Sequence, residues 1–324
     1  PRSRTSGKGE TGILVSAICP TTASRRPFHR FLWVCWHSQT YQNRELVIVD
    51  TSESGPSEFL VSKMKEDPRI IYKHFSVPDT EWSIGLKRNL ACYYAAGEVI
   101  AHFDDDDMYG RTYLESMTKW MMKPRSAFDM VNPWFVDHAD AHRSMLRGMG
   151  VRHYVGDHAT LDWSLTDVAM KANLGKFGAA CVKLSSWHTY TLRTRSWGVF
   201  DARDDHDQEL FGWGFSFVYL RSAWESGPFA NMGLGEDYDF VRRMLEQGLP
   251  VLLVQDSNGI CAHTSHADNT TGKCTESQRR HGSSAQLYSG VASLVGMFEN
   301  AAKDILAEQE NYKVTLGSLQ QVGQ

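Results

Sequence analysis

A short apolar segment that ends in four consecutive aspartates is the feature that most constrains this chain. Residues Val99–Asp107 read Val-Ile-Ala-His-Phe-Asp-Asp-Asp-Asp, and an apolar run of this length is typical of a buried strand. Neighbouring carboxylates repel one another unless a cation lies between them, and oxygen-rich clusters suit Mg²⁺ or Mn²⁺. Side chains alternate along an extended segment, so Asp104 and Asp106 are expected to point the same way. Taken alone, the run fits a metal site and equally a solvated acidic loop in front of a helix predicted at Thr112–Met122.

Strand and helix patterns alternate along the first hundred residues, which predicts an α/β fold with a largely parallel sheet. Ligands bind beyond the carboxyl ends of the strands in such sheets. Pro20, Asp50 and Asp104–Asp107 all follow predicted strands, so we expect them to meet at one rim. The predicted strands are 12–18, 45–49 and 69–75, and the predicted helices are 28–39, 56–65 and 84–96.

Composition and charge are those of an ordinary globular enzyme. Of the 324 residues 42% are hydrophobic and 22% charged, which does not fit a disordered chain. The net charge of −4 gives no reason to expect a nucleic-acid partner. No apolar stretch approaches the roughly 20 residues of a transmembrane helix. The chain does not begin with Met, which suggests that a segment has been removed; a cytoplasmic location and a secretory catalytic domain without its anchor both fit.

The cysteines are scattered along the sequence and contain no Cys-x-x-Cys pair, which argues against a structural zinc site or a dense disulfide framework. We therefore expect mostly reduced core residues, with a bridge involving Cys261 or Cys274 left open. The six are Cys19, Cys35, Cys92, Cys181, Cys261 and Cys274.

Six segments follow one another in the first 110 residues: Val-Ser-Ala-Ile-Cys-Pro-Thr (15–21), Ser-Gln-Thr-Tyr (38–41), Leu-Val-Ile-Val-Asp (46–50), Lys-Arg-Asn (87–89), Gly-Glu-Val-Ile (97–100) and Phe-Asp-Asp-Asp-Asp-Met-Tyr (103–109). In this order they resemble the nucleotide-binding half of family 2 glycosyltransferases. Two later segments, Gly-Leu-Gly-Glu-Asp-Tyr-Asp-Phe (233–240) and His-Ala-Asp-Asn-Thr (266–270), resemble the Glu-Asp motif and the His-x-x-Asn-Thr/Ser segment of that family.

The resemblance implies a GT-A fold, a Rossmann-like mixed and largely parallel central sheet flanked by helices. It implies a flexible segment at 1–10, a glycosyltransferase domain at 11–275 and a helical extension at 276–324. The nucleotide-binding half would be 11–110 and the acceptor half 111–275. In the extension, apolar residues from Leu287 to Ile305 recur at three and four positions, which predicts an amphipathic helix docked on the catalytic domain.

The resemblance also implies which residues bind the donor. Arg88 is expected to contact a diphosphate, since a guanidinium suits bidentate contact with phosphate; the alternative is an arginine on a helix surface. Thr51 stands where many members have a second acid, which affects recognition of the base. The full donor set is Pro20, Thr21, Thr22, Asp50, Arg88, Asp104 and Asp105.

A divalent metal, Mn²⁺ or Mg²⁺, is implied at the acidic motif. Asp106 is expected to be the direct ligand, together with Asp107. His266 is expected to contact the metal or the diphosphate, with His263 as its substitute.

The remaining site residues concern catalysis and the acceptor. Asp237 is expected to be the general base, and Glu236, in the same catalytic motif, is expected to cap the helix. Without the resemblance, both acids would simply cap a helix predicted at Tyr238–Gln247. Trp213, with Gly214, is the acceptor candidate, because aromatic faces stack on sugars, although core packing explains a tryptophan equally well.

The resulting hypothesis is a metal-dependent, inverting glycosyltransferase with a nucleotide-sugar donor, a UDP-sugar by preference. Its acceptor is a glycan, protein, lipid or small molecule. Two alternatives remain at this point: a nucleotidyltransferase or metal phosphoesterase on a similar sheet, and a catalytically idle relative that binds a sugar or nucleotide.

Overall fold

The computed structural model describes residues 12–122, 174–201, 211–247, 249–256, 258–265, 279–280 and 290–303. The predictions for residues 1–10, for His266 and for Cys274 lie outside these ranges. So does most of 137–176, within the predicted acceptor half.

The described part of the chain contains eleven strands in one sheet. They are β1 (Val15–Thr22), β2 (Arg44–Thr51), β3 (Ile70–Phe75), β4 (Val99–His102), β5 (Met108–Tyr109), β6 (Cys181–Thr191), β7 (Ser196–Asp201), β8 (Val218–Leu220), β9 (Val251–Gln255), β10 (Cys261–Ser265) and β11 (Arg279–Arg280).

Helices cover this sheet. Those with both ends inside the described ranges are α1 (His29–His37), α2 (Glu58–Glu66), α3 (Ile84–Tyr94), α4 (Tyr113–Met122), α5 (Arg221–Ser226) and α6 (Glu236–Glu246). Short 3₁₀ helices occupy Ala23–Phe28, Gly214–Ser216 and Ala292–Leu294, and a further helix is described over 295–303.

The first half of the sheet is parallel, as the alternating pattern predicts. Strand β1 pairs with β2 on one side and with β4 on the other, and β3 joins β2. Serines that cap α2 and α3 mark where these crossover helices begin: Ser57 accepts from Leu60 N and Ser83 from Leu86 N. The second half is mixed, with β6 antiparallel to β7 and β8 but parallel to β9 and β10. The predicted mixed, largely parallel α/β fold is confirmed.

Strand β1 is longer than predicted, because it runs through Pro20 to Thr22. Ile18 O accepts from Phe103 N, and pairing of β1 with β4 ends at Ile18. Backbone groups two residues apart point the same way in a strand, so the missing amide of Pro20 faces the side where the partner strand has already ended. A proline is tolerated at such an edge position.

The C-terminal helix packs on the catalytic core. The Phe298 ring lies 5.8 Å from the Phe28 ring, 5.7 Å from Phe31 and 5.9 Å from Tyr190. Phe298 is fully buried, so the apolar face predicted for this helix is covered within the described residues.

The five described cysteines are buried and free, which confirms the prediction of reduced core residues for Cys19, Cys35, Cys92, Cys181 and Cys261. No helix among the described residues is long and apolar enough to span a bilayer.

Candidate active site

A cavity of about 710 Å³ opens beyond the carboxyl ends of β1 and β4. Among the described residues, it brings together all the predicted donor, metal, catalytic and acceptor residues except Asp50. The predicted residues in its wall are Pro20, Thr21, Thr22, Arg88, Asp104, Asp105, Asp106, Asp107, Trp213, Gly214, Glu236, Asp237 and His263.

Asp105 is tied to the tip of β1. Thr21 Oγ1 donates to Asp105 Oδ2 at 2.6 Å, and the same hydroxyl lies 3.0 Å from His29 Nε2. His29 Nδ1 in turn lies 2.9 Å from Ser57 Oγ. This buried series of hydrogen bonds fixes the orientation of the Asp105 carboxylate.

Asp106 faces a cation supplied by the protein itself. Arg25, from the 3₁₀ helix after β1, donates to Asp106 Oδ2 through Nη1. The two side chains are 13% and 10% exposed, so the pair is largely shielded from water. The carboxylate expected to ligate a metal therefore has a guanidinium beside it.

Asp107 is held by β10. His263 Nδ1 lies 3.0 Å from Asp107 Oδ1, and Thr264 N donates to that oxygen at 2.8 Å. Burial alone would lower the pKa of His263, but the charge of Asp107, and more weakly of Asp106 and Asp104, outweighs it and raises the pKa above its usual value. The acids around it therefore make His263 easier to protonate.

Arg88 joins the two acidic motifs. Its Nη1 donates to Glu236 Oε1, and its Nη2 lies 3.7 Å from Asp104 Oδ1. Burial would lower the pKa of Arg88, but the charges of Glu236, Asp104 and Asp237 raise it. The residue is 5% exposed, so the helix-surface alternative is wrong. The carboxylate of Glu236 pairs with this arginine, and the helix N-cap is Gly235 at φ 81°, a residue with no side chain to cap the helix.

The acidic cluster is short of positive charge. Burial raises the pKa of Asp104 to about 7 and of Asp105 to about 8, and the neighbouring aspartates add to both shifts. Burial also raises the pKa of Asp107. Asp104 Oδ1 is buried without a hydrogen-bond partner. A further cation would relieve both conditions.

The described residues do not themselves form a complete metal cage. Within them, no group of three or more His, Cys, Asp or Glu side chains converges on one metal position. The unpartnered Asp104 oxygen and the raised carboxyl pKa values nevertheless fit a hard divalent cation, which prefers oxygen ligands.

Asp237 is oriented by backbone amides. Gly214 N donates to Asp237 Oδ2 at 2.8 Å and Tyr238 N donates to Oδ1 at 2.7 Å. Gly214 follows Trp213, which has the left-handed backbone φ of 57°, an outlier for a bulky residue. Trp213 lines the cavity next to this carboxylate, while Trp187, another aromatic of the same region, is 1% exposed and belongs to the core.

Asp50 lies outside the described cavity wall. Tyr72 OH donates to its Oδ2 at 2.5 Å, and burial raises the pKa of Asp50. Thr51 beside it is fully buried. The position of a residue at the end of a strand thus predicts that it lies at the rim of the sheet. It does not predict whether its side chain lines the cavity.

Sequence reasoning missed several residues at or behind the cavity wall, among them Arg25, Lys87 and His102. Arg25 and Lys87 line the cavity. The sequence signal for Arg25 was a pair of arginines just after the end of a strand, and the signal for Lys87 was its place next to Arg88. His102 lies behind the wall, with its Nδ1 2.6 Å from Gly214 O. Its signal was a lone histidine in an apolar strand just before the acidic motif.

Residues 29–226 match the family model described as glycosyl transferase family 2. This segment is more than half of the chain. The chain therefore belongs to glycosyl transferase family 2. No curated protein matches the sequence.

Solved structures with a similar fold are distant in sequence. S. aureus TarS has a TM-score of 0.46 at 14% identity, over 78% of this chain and 37% of that one. TarS 1-349 in complex with UDP-GlcNAc scores 0.45 at 12%, over 81% and 62%. The mannosyltransferase PcManGT from Pyrobaculum calidifontis, with GDP-Man and Mn²⁺, scores 0.43 at 14%, over 95% and 80%. This chain spans between 37% and 62% of the length of the TarS chains.

Proposed function

We propose that this enzyme transfers a sugar from a nucleotide-sugar donor, a UDP-sugar, to an acceptor hydroxyl with inversion of configuration and dependence on a divalent metal. One observation carries the proposal: the acidic strand tip and Asp237 line the same 710 Å³ cavity. With the donor diphosphate at the acidic strand tip and the acceptor at Asp237, the sugar of the donor would lie between the two.

The donor half of the cavity has the chemistry that a nucleoside diphosphate needs. The tip of β1 offers Pro20, Thr21 and Thr22, and the cations Arg25 and Lys87 line the same wall. Lys87 is 5% exposed and its Nζ has a carbonyl, Asp79 O, at 3.4 Å. Guanidinium and ammonium groups are the usual phosphate partners in proteins. Arg88, being bound to Glu236, would act on the diphosphate mainly as a fixed positive charge.

Asp106, with Asp104, Asp107 and His263 around it, would hold Mn²⁺ or Mg²⁺. Because the described residues supply no complete set of ligands, we expect oxygens of the diphosphate to complete the coordination. When bound, such an ion neutralises negative charge on the leaving nucleoside diphosphate.

Asp237 would serve as the general base in a direct displacement. The acceptor oxygen forms its bond to the anomeric carbon while the bond from that carbon to the diphosphate oxygen breaks. The electron pair leaves with the nucleoside diphosphate, and the acceptor proton passes to Asp237. Attack opposite the leaving group inverts the anomeric centre. The amides of Gly214 and Tyr238 keep the carboxylate aimed while this happens.

Trp213 would form one wall of the acceptor subsite. It lies next to Gly214, whose amide orients the base, and its ring lines the cavity. A glycan, or the sugar of a larger acceptor, would stack on this ring.

The test is a panel of UDP- and GDP-sugars incubated with the enzyme and Mn²⁺, with release of UDP or GDP and the anomeric configuration of the product read by NMR. We expect metal-dependent release from one donor class and an inverted product. Turnover of a nucleoside triphosphate or a phosphoester instead would support the nucleotidyltransferase or phosphoesterase alternative. Nucleotide binding without turnover of any donor would support the idle relative.

A further inference from the structure

We propose that His102 is a positioning residue for the base: it holds Gly214, and Gly214 holds Asp237. This inference rests on the proposed role of Asp237. His102 lies on β4, two residues before the acidic motif, and its ring contacts the loop that carries Gly214.

The contacts form a directed chain. Gly214 O can only accept, so His102 Nδ1, at 2.6 Å, is the donor. The residue is 1% exposed, and burial favours the neutral ring, in which Nε2 is then left as an acceptor. Tyr219 OH lies 3.2 Å from Nε2 and 3.2 Å from Cys92 Sγ. The hydroxyl can therefore donate to Nε2 and support the tautomer that the Gly214 carbonyl selects.

The loop that receives this bond is a tight turn, in which Phe217 N also donates to Gly214 O at 3.1 Å. Trp213 has φ 57°, a conformation that persists in a bulky residue only where its surroundings impose it. The next residue is bonded at both ends: its carbonyl to His102 and its amide to Asp237 Oδ2, at 2.8 Å. A side chain is excluded there, since a Cβ on Gly214 would lie 2.9 Å from Asp237 Cβ and 3.1 Å from Arg88 Nη1.

The competing explanation is that His102 is only a packed core residue. Its ring lies 5.5 Å from Phe217, 5.4 Å from Tyr219 and 5.7 Å from Phe229, and the residue is 1% exposed. Packing needs the ring, whereas positioning needs the Nδ1–H donor. Two substitutions separate these requirements.

His102→Phe keeps an aromatic ring and removes the donor. His102→Asn loses the ring, but its short amide can place an N–H near the position of Nδ1. We expect His102→Phe to lower kcat by about 10²-fold, the usual effect of a misplaced catalytic group, with the Kd for UDP unchanged. His102→Asn should recover most of that loss. The reverse order, with His102→Phe active and His102→Asn slow, would overturn the proposal.

His102→Met is a second apolar variant, in case the phenylalanine does not fit. If both apolar variants lose UDP binding, the histidine is needed for the fold and the positioning role is refuted. If either binds UDP normally, its kcat decides the question as above.

A double-mutant cycle with Asp237→Asn separates the two proposals. If His102 acts through the base, His102→Phe should have little further effect on the residual turnover of Asp237→Asn. Independent, multiplying effects would refute the link between the two residues while leaving Asp237 as the base. Near-normal turnover of Asp237→Asn alone would instead refute the proposed base, whatever His102 does.

Discussion

Asp106 at the acidic strand tip and Asp237 at the start of α6 are held in opposite ways. At the strand tip, Asp106 and Asp107 face the charged or chargeable side chains of Arg25 and His263, and burial raises the pKa of Asp104, Asp105 and Asp107. At the start of α6, Asp237 accepts hydrogen bonds from two backbone amides. The nearby Arg88 forms its hydrogen bond with Glu236.

This difference suggests a division of labour. A cluster with unrelieved negative charge gains free energy by taking up a cation, which suits donor and metal binding. A carboxylate aimed by amides keeps its direction and its capacity to accept a proton, which suits a base. The following predictions test whether the two regions do separate work.

The largest expected effect is on turnover at α6. Asp237→Asn keeps the size of the side chain but removes its proton-accepting power, so transfer should fall by roughly 10²–10⁴-fold. Turnover measured at saturating donor checks this. Asp239→Asn is the matched control, because Asp239 pairs with Arg242 and Arg243 on the same helix and should leave transfer unchanged. Near-normal turnover of Asp237→Asn would place the base elsewhere.

Gly214→Ala should also lower kcat, by about 10²-fold, because the new Cβ would lie 2.9 Å from Asp237 Cβ and displace it. Gly233→Ala is the control, since Gly233 lines the same cavity and its Cβ would meet nothing within 4 Å. Steady-state kinetics on both variants decides the matter. Equal kcat values for the two would show that close packing at Gly214 is irrelevant to catalysis.

Removal of the metal should act on the strand tip. Calorimetry of UDP binding with Mn²⁺ and with a chelator should show tighter binding with metal, by about 5- to 150-fold, the usual range of coupling between two ligands. Mg²⁺ should act in the same direction. Identical affinities with metal and with chelator would exclude the proposed shared site.

The smallest expected effect is a pH dependence of stability. Carboxyl groups whose pKa is raised in the folded state stabilise the fold at low pH, and this stabilisation is lost as the pH rises to the folded values of about 7 for Asp104 and about 8 for Asp105. The metal-free protein should therefore lose stability between about pH 5 and pH 8, by at most about 1.4 kcal/mol per pH unit for each group.

Asp105→Asn should make this loss shallower in thermal unfolding, since an amide does not ionise and can still accept from Thr21 Oγ1. The Arg69 side chain lowers the pKa of Asp67, so Asp67→Asn should not alter the profile over the same range. Parallel profiles for wild type and Asp105→Asn would contradict the shifted pKa of that group.

The sheet and its rim could be predicted because they depend on the pattern of apolar residues within short segments of the sequence. Apolar runs separated by helical periodicity predict parallel strands, and the aspartates directly follow one of those runs, so their place at the carboxyl end of β4 needed no long-range information. Arg88 near the acids followed in the same way from the family resemblance.

The partners within the site could not be predicted, because they join residues far apart in the chain. Arg25 and Asp106 are 81 positions apart, and His102 and Gly214 are 112 apart. Sequence spacing does not show that Glu236 pairs with Arg88. Nor does it show that Tyr72 donates a hydrogen bond to Asp50, outside the cavity wall. Such pairings depend on how separate elements pack, which no local pattern encodes.

The most direct test of the division of labour is one calorimetric series of UDP binding in the presence of Mn²⁺ to wild type, Asp106→Ala and Asp237→Asn. We expect Asp237→Asn to bind UDP as tightly as wild type, and Asp106→Ala to bind it only as weakly as wild type does with chelator. If Asp237→Asn loses UDP affinity as much as Asp106→Ala, the two regions form a single binding site and the assignment of Asp237 as the base is contradicted.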